Sequence, residues 1–270
     1  MLHKKIELHE NGSNGAFATT YLIESNPEMP NIKRPVVIIC PGGAYMSISF
    51  REGEPIALQF LARGYHAVLL NYSIYPGAIY PTALLELGRV VQMLRENKEE
   101  WLIDTNKIIV MGFSAGGHLA TSYSCFWNDG FIANSLKCDS EELCPNALIL
   151  GYPVITSGKY ASRYSFCNLL GDKYDELIDK VSLENQVNLH NPPTFVWHTI
   201  TDEAVPVENS KLFFDALKEK NIPVEMHLYP EGLHGLALAN EVTAIDESQI
   251  VPCCQDWVDK AFDWLKKTLI

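Results

Sequence analysis

Short runs of apolar residues alternate with amphipathic stretches along most of this chain. Runs of β-branched and other apolar residues, which are typical of strands, occur at 35–40, 66–71, 107–111, 147–155, 194–199 and 224–229. Between them, apolar residues recur at the spacing of one helix face at 54–63, 81–97, 118–126, 208–221 and 253–269. This strand–helix alternation predicts an α/β fold with a mostly parallel, doubly wound sheet and right-handed crossovers.

The N-terminal region departs from this alternation. Strand-forming residues at 5–10 and 18–25 flank an Asn- and Gly-rich segment, which predicts two antiparallel strands joined by a turn. Together with the later strands, they predict a sheet of about eight strands. Residues 26–34 contain two prolines without periodicity and predict a connecting loop, and residues 104–107 predict a turn.

Residues 156–192 also lack the regular pattern. They are rich in Gly, Tyr, Ser and Asn, with one helical piece near 174–183. We interpret this segment as a small cap over the carboxyl edge of the sheet. No linker or repeat divides the chain, so we expect a single domain over 1–270.

Composition and charge narrow the classes of partner. The chain has 270 residues and a net charge of −12, which argues against nucleic acid and anionic membranes because both would be repelled. It contains no run of about 18 apolar residues and no signal-peptide core. The seven cysteines are scattered, odd in number and without metal-ligand spacing, which indicates a reduced, cytoplasmic protein. A homodimer remains open.

One predicted strand ends in a motif with chemical meaning. In Lys107–Gly117 the apolar run is followed by GFSAG and then at once by a helical segment. A serine in so sharp a strand–turn–helix has a strained backbone, and the residues two positions away must lack side chains because strand and helix nearly touch. The Ser114 hydroxyl would stand exposed beside a helix N-terminus, which favours developing negative charge. We therefore predict Ser114 as a nucleophile.

Two later strands end in residues that could activate this serine. A serine hydroxyl needs a base to take its proton and a carboxylate to orient that base. Asp202 follows the predicted strand 194–199, and His234 follows the predicted strand 224–229. Because the carboxyl ends of parallel strands meet at one edge of a sheet, the sequence predicts a triad of Ser114, His234 and Asp202.

Other residues compete for these roles. Asp202 alone would be a turn or helix-capping residue, and Glu203 is the alternative acid. His234 alone would be a surface histidine. His118, one turn past Ser114, is expected to pack or to form a hydrogen bond, whereas His190 is expected at the rim of the site.

The loop after the first central strand, PGGAY at 41–45, is the candidate oxyanion loop. The tetrahedral intermediate of acyl transfer carries a negative charge that backbone amides stabilise, each by roughly 3–4 kcal/mol. One amide is expected from Ala115, the residue after the nucleophile. The other is expected from Gly43, with Gly42 and Ala44 as alternatives.

Seven stretches resemble the acetylesterase and lipase-like branch of the α/β-hydrolases, which includes bacterial sugar and xylan acetylesterases: PGGAY, REGEPIALQFLARGY, LNYSIYP, DTNKIIVMGFSAGGHLA, GYPV, TDEAVPVENS and EGLHG. The resemblance covers about residues 35–268. In the hormone-sensitive-lipase-like group the oxyanion loop reads His-Gly-Gly-Gly, whereas here Pro41 replaces the His and Ala44 replaces the third Gly. This departure argues against long-chain lipid esters.

The resemblance implies an α/β-hydrolase fold and a serine carboxylic ester hydrolase that works through an acyl-enzyme. The implied partner is a small-molecule ester with a short acyl group, mainly acetyl, on a sugar or oligosaccharide. The chemistry needs no metal and no organic cofactor. An arylformamidase, another small-amide hydrolase or a peptidase of the same fold is the alternative, and a catalytically inactive binding module is disfavoured because all three triad residues are present.

Aromatic residues near strand ends are expected to bind the substrate. Tyr45, Tyr152 and Pro153 are expected to line the pocket together with a cap residue such as Tyr160 or Tyr164, since tyrosine offers both a ring face and a hydroxyl. The charged residues near the oxyanion loop, Arg51 and Glu54, are expected to be structural, as an ion pair or a helix start.

Overall fold

The computed structural model of this protein describes residues 1–28 and 32–269. The loop predicted over 26–34 falls partly on 29–31, which lie outside the described residues. Within the described ranges, eight strands form one sheet: Lys5–Glu7 (β1), Phe17–Tyr21 (β2), Arg34–Cys40 (β3), His66–Asn71 (β4), Ile103–Phe113 (β5), Ala147–Gly151 (β6), Thr194–Thr199 (β7) and Val224–Tyr229 (β8).

Helices connect most of these strands. In the same part of the chain the α-helices are Glu54–Leu61 (α1), Thr82–Glu96 (α2), Ser114–Phe126 (α3), Phe131–Leu136 (α4), Arg163–Leu170 (α5), Tyr174–Leu177 (α6), Glu208–Glu219 (α7) and Trp257–Thr268 (α8). The helices predicted from apolar spacing are present, but α3 begins at Ser114 itself and α4 was not predicted. Of the residues described, no helix is long and apolar enough to span a bilayer.

The sheet has the order β1-β2-β4-β3-β5-β6-β7-β8. β2 pairs antiparallel with β1 and β4, and all other neighbours are parallel, which confirms the antiparallel start and the mostly parallel sheet. The carboxyl ends of β3, β5, β7 and β8 therefore lie along one edge. This edge carries the loops that contain the predicted site residues.

The strand that leads to Ser114 is longer than predicted. β5 begins at Ile103, so residues 104–107, expected to form a turn, belong to the strand. The pairing of β5 with β3 shifts in register near Arg34, and the Asn106 amide donates a hydrogen bond to Asp104 Oδ1 at 3.0 Å. The turn prediction is wrong because the irregularity is absorbed as a bulge within the ladder.

The central strands form a rigid base for this edge. No residue of β6 or β7 is exposed, as expected for strands covered by helices on both faces. Trp197 of β7 stacks on Trp257 of α8 with ring centroids 5.1 Å apart, which fixes the C-terminal helix on one face. Loops held by such a base keep their side chains in defined positions.

The segment 156–192 contains two short α-helices, with 3₁₀ helices at Gly171–Lys173 and Leu183–Asn185, instead of one helical piece. The predicted helical piece at 174–183 corresponds to α6, whereas α5 was not expected because a helix of eight residues gives only a weak periodic signal. The Asn168 side-chain amide of α5 donates to the Ala44 carbonyl at 2.9 Å. This contact places α5 over the loop that follows β3, at the carboxyl edge of the sheet.

Candidate active site

The turn between β5 and α3 has the geometry that its glycines predict. Ser114 has a φ of +52°, in the left-handed region that residues with a side chain rarely adopt. A Cβ at Gly112 would overlap the Gly116 carbonyl oxygen. A Cβ at Gly116 would overlap the carbonyl oxygens of Cys40 and Pro41. Glycine is therefore required at both positions for β5, α3 and the end of β3 to approach one another.

A histidine and an aspartate lie in line with the Ser114 hydroxyl. Ser114 Oγ is 2.7 Å from His234 Nε2, and His234 Nδ1 is 2.6 Å from Asp202 Oδ2. The Asp202 side chain is fully buried, whereas 22% of the His234 side chain is exposed. The structure thus brings together the three residues selected from the sequence, which come from the ends of β5, β7 and β8.

Both oxygens of the Asp202 carboxylate accept hydrogen bonds. Oδ1 accepts the backbone N–H of Ala204 at 3.0 Å and of Val205 at 2.9 Å. Oδ2 accepts from His234 and, at 3.2 Å, from Nε2 of a second histidine, His198. Burial acts to raise the pKa of Asp202, but the hydrogen bonds from the two histidines and from Val205 outweigh it and hold the pKa well below its usual range. The carboxylate is therefore ionised and held opposite His234.

His198 is a site residue that the sequence analysis did not select. It lies in β7, is fully buried, and hydrogen-bonds to the Val205 carbonyl through Nε2 at 2.9 Å and to Ser210 Oγ through Nδ1 at 2.7 Å. Its spacing of four residues from Asp202 was visible in the sequence. However, a histidine inside an apolar strand gives the same pattern as an ordinary core residue.

The loop after β3 lies directly against Ser114, where a Cβ at Gly42 would be 2.8 Å from Ser114 Cβ. The Gly42 N–H donates to Oε2 of the buried Glu52 at 2.7 Å. This amide is not available to a substrate, so the alternative that placed Gly42 in the oxyanion hole is wrong. Within the described ranges, the amides of Gly43 and Ala44 have no hydrogen-bond partner, and both residues line the cavity beside Ser114.

The conformation of this loop is set by a tight turn. Gly43 has a φ of +131°, and its carbonyl accepts the amides of Met46 at 2.9 Å and Ser47 at 3.0 Å. Ala115 lies in the first turn of α3, where an amide has no acceptor within the helix. Gly43, Ala44 and Ala115 are therefore the candidate oxyanion donors.

A cavity of about 570 Å³ opens beside Ser114 and His234. Its lining combines hydroxyl and charged groups with apolar surface, and α5 supplies one wall through Tyr164 and Ser165. Tyr160, the alternative to Tyr164 in the sequence prediction, does not line the cavity. The remaining side chains around the cavity include Met46, Ser47, Ser49, Arg51, Glu52, Ser162 and Val205.

Tyr152 and Pro153 do not line this cavity, so the prediction of a pocket role is wrong for both. The Tyr152 side chain is buried, and its hydroxyl donates to Glu52 Oε1 at 2.7 Å and accepts the Ala237 N–H at 2.9 Å. Pro153 packs against Gly117 of α3. The backbone explains the difference, because Tyr152 has a φ of +38° and no longer follows the alternation of the strand before it.

Tyr45 is also buried and does not line the cavity, and like Tyr152 it has a left-handed backbone conformation. Its φ is +56°, and its hydroxyl is 2.9 Å from Nδ1 of the fully buried His118. His118 Nε2 lies 2.9 Å from the Val181 carbonyl, so this histidine packs and hydrogen-bonds as expected. The pair joins the loop after β3 to α3 and to Val181 in the segment 156–192.

The remaining candidates take different positions. Glu203 is exposed, and His190 is exposed and does not line the cavity. Arg51 lines the cavity and donates from Nε to the Thr243 carbonyl, so the expected ion pair with Glu54 is not formed. Glu54 is exposed at the start of α1, as the helix-start alternative predicted.

Residues 25–217, which include Ser114 and Asp202, match the family model described as BD-FAE. The chain belongs to the BD-FAE family. Among solved structures, this BD-FAE protein is similar to the carboxylesterase Cest-2923 from Lactobacillus plantarum WCFS1, with 30% identity and a TM-score of 0.87 over 99% of this chain and 98% of that one. The α/β-hydrolase fold predicted from the sequence is thereby confirmed.

Two curated relatives of the BD-FAE protein are named for xylan. It is 39% identical over 215 residues to endo-1,4-beta-xylanase B of Butyrivibrio fibrisolvens and 30% identical over 217 residues to acetylxylan esterase of Xylanibacter ruminicola. These matches cover 78% and 77% of this chain but 34% and 42% of the relatives. The chain therefore spans less than half the length of these curated relatives. The names of the esterase relatives support a carboxylic ester hydrolase.

Proposed function

We propose that this protein is a serine esterase that removes short acyl groups, mainly acetyl, from sugars or oligosaccharides. The observation that carries the proposal is the hydrogen-bonded line from Ser114 Oγ through His234 to the buried Asp202. This arrangement of a hydroxyl, an imidazole and a carboxylate recurs on unrelated folds because it makes a serine nucleophilic at neutral pH.

Acylation uses the three side chains in turn. Ser114 Oγ attacks the ester carbonyl carbon while its proton moves to Nε2 of His234. The imidazolium so formed is stabilised by Asp202, which accepts the Nδ1–H at 2.6 Å. Because the pKa of Asp202 is held low, the proton stays on His234 and passes to the leaving alcohol oxygen. The acyl group remains bound to Ser114 as an ester.

The negative charge of the tetrahedral intermediate requires donors beside Ser114. The amides of Gly43, Ala44 and Ala115 are the supported candidates, each worth roughly 3–4 kcal/mol of the barrier when it points at the oxyanion. Deacylation follows the same steps with water as the nucleophile. His234 takes a proton from the water as the water oxygen attacks the acyl carbon. The carboxylic acid then leaves, and the proton returns to Ser114.

Two observations support a short acyl group on a sugar. A relative that is 30% identical is named acetylxylan esterase. The cavity beside Ser114 presents hydroxyls, among them those of Ser47, Ser49 and Tyr164, which can exchange hydrogen bonds with the hydroxyls of a sugar.

The proposal is tested with p-nitrophenyl esters from acetate to octanoate and with acetylated xylo-oligosaccharides. We expect the highest kcat/KM for acetate, release of acetate from the oligosaccharides, and a loss of about 10⁴-fold or more in Ser114→Ala. Ser122→Ala is the control, since Ser122 is also buried on α3 but lies outside the cavity. It should keep the activity of the wild type.

The outcomes separate the alternatives. A preference for octanoate would contradict the short acyl group. Turnover of N-formylkynurenine without turnover of any ester would favour the arylformamidase alternative. Unchanged ester hydrolysis in Ser114→Ala would contradict the nucleophile.

A further inference from the structure

Asp202 has two histidine partners, and only one of them belongs to the proposed triad. His198 Nε2 lies 3.2 Å from the same oxygen, Oδ2, that accepts the His234 Nδ1–H at 2.6 Å. We infer that His198 is a positioning residue for ester hydrolysis, which holds the Asp202 carboxylate in place for His234 and shares its negative charge. The inference rests on the function proposed above, because it assigns a task within the same site.

The surroundings of His198 define where its proton is. Nε2 faces two acceptors that cannot donate, the Val205 carbonyl at 2.9 Å and the Asp202 carboxylate. Nε2 must therefore carry a hydrogen, which the two oxygens share. Nδ1 faces Ser210 Oγ at 2.7 Å, and in the neutral imidazole with its hydrogen on Nε2 this nitrogen accepts the serine hydroxyl. One tautomer thus satisfies all three contacts.

These contacts join three segments of the chain. His198 lies in β7, Val205 in the following loop, and Ser210 in α7. Because the His198 side chain is fully buried, rotation of its ring away from Oδ2 would require the close-packed groups around it to shift. The loop that carries Asp202 is in this way anchored to the sheet and to a helix at once.

The donor also affects the charge that His234 experiences. A carboxylate that accepts an extra N–H is a weaker hydrogen-bond acceptor toward its other partner, so it favours the His234 imidazolium less. Removing the His198 donor should make protonated His234 more stable and shift the acid limb of kcat/KM to higher pH. The other ionisable groups around His234 stay in place in this experiment: Tyr152, with its ring centroid 5.0 Å from that of His234, and Arg51 and Glu52 in the cavity.

The test compares two replacements of His198 and one matched control. His198→Leu fills the space without a donor, whereas His198→Gln offers an amide N–H near the position of Nε2. The control is His66→Gln in β4, since His66 is also fully buried and connects backbone groups, with Nδ1 3.1 Å from the Ile23 amide and Nε2 3.3 Å from the Leu102 carbonyl. His66 lies outside the site, so its replacement shows the effect on kcat/KM of losing a buried histidine that does not contact Asp202.

The readout is the pH profile of kcat/KM for p-nitrophenyl acetate. In His198→Leu we expect the acid limb to move up by about half to one pH unit and the plateau to fall roughly ten- to a hundredfold. His198→Gln should restore most of both, and His66→Gln should change neither. A folded His198→Leu with an unshifted limb would overturn the inference, and so would a His198→Gln whose limb shifts as far as that of His198→Leu.

A second measurement is made on the wild-type protein itself, and a variant is needed only to assign the signal. Nitrogen-15 NMR of histidine-labelled protein should show His198 with its proton on Nε2, and the signal is assigned by its loss in His198→Gln. A proton on Nδ1 instead would overturn the inference. If the wild type hydrolyses no ester, the proposed function fails, while the tautomer result still reports whether the His198 nitrogen that faces Asp202 carries the proton.

Discussion

The Tyr152 hydroxyl could either stabilise the fold or bind substrate, and replacing Tyr152 by phenylalanine gives opposite results for these two roles. Its hydroxyl donates to Glu52 Oε1 at 2.7 Å and accepts the Ala237 N–H at 2.9 Å, while its ring packs 5.0 Å from the rings of Trp197 and His234. Burial raises the pKa of Tyr152 well above its usual value, so the hydroxyl is a neutral donor. Tyr152→Phe keeps the ring and removes both hydrogen bonds.

The magnitude follows from these two bonds. A hydrogen bond to a carboxylate contributes about 1.5–3 kcal/mol, and a buried N–H left without an acceptor costs about 1–3 kcal/mol. Because neighbouring bonds are not additive, we expect the free energy of unfolding to fall by about 3 kcal/mol, near the low end of their sum. For a chain of this size, this corresponds to a Tm lower by about 6–12 °C.

Thermal unfolding followed by circular dichroism measures this change, and kcat and KM for acetylated sugars are measured below the transition. Tyr72→Phe is the matched control, since the buried Tyr72 hydroxyl makes one hydrogen bond, to the Pro41 carbonyl at 2.7 Å. It should lower the Tm by about 2–4 °C. The reasoning is refuted if Tyr152→Phe has a Tm within about 2 °C of the wild type and a raised KM, the result for a hydroxyl that binds substrate.

Two other changes test the packing around the site. Gly116→Ala should abolish soluble, folded protein because the new Cβ overlaps two backbone carbonyls. The control is Gly158→Ala at an exposed position, and its free energy of unfolding should stay within about 1 kcal/mol of the wild-type value. A wild-type Tm for Gly116→Ala would contradict the close approach of the backbone segments. Burial lowers the pKa of His118 to about 4, and its unfolded value is about 6.5. Because the unfolded state binds the proton first, the free energy of unfolding should fall by up to about 3 kcal/mol between about pH 7.5 and pH 4 and should not change on this account above about pH 7.5. Urea titrations of the wild type and His118→Gln measure this, and equal pH slopes would contradict it.

Much of the fold was determined by local sequence. Buried parallel strands require continuous apolar runs, so β3, β6 and β7 were visible as such, and the turn at Ser114 was visible because only glycine fits beside it. Asp202 and His234 could be selected as well, since the carboxyl ends of parallel strands meet at one edge. A short helix such as α5 was missed because eight residues define few helical repeats.

The tertiary structure decided which groups around the triad remain available. Tyr45 and Tyr152 follow strand ends in left-handed backbone conformations, which no strand periodicity encodes, and their side chains turn into the core. Glu52 accepts the Gly42 N–H, so this amide is not available to a substrate. Glu52 also accepts the hydroxyl of Tyr152, which is 100 residues away in the sequence. The contact of His198 with Asp202 also depends on the tertiary structure, because it is held by partners from the loop after β7 and from α7. A local pattern of residue types therefore predicts the nucleophile. It does not predict the hydrogen bonds made by the residues around the nucleophile, because those bonds join segments that are distant in the sequence and meet only in the folded protein.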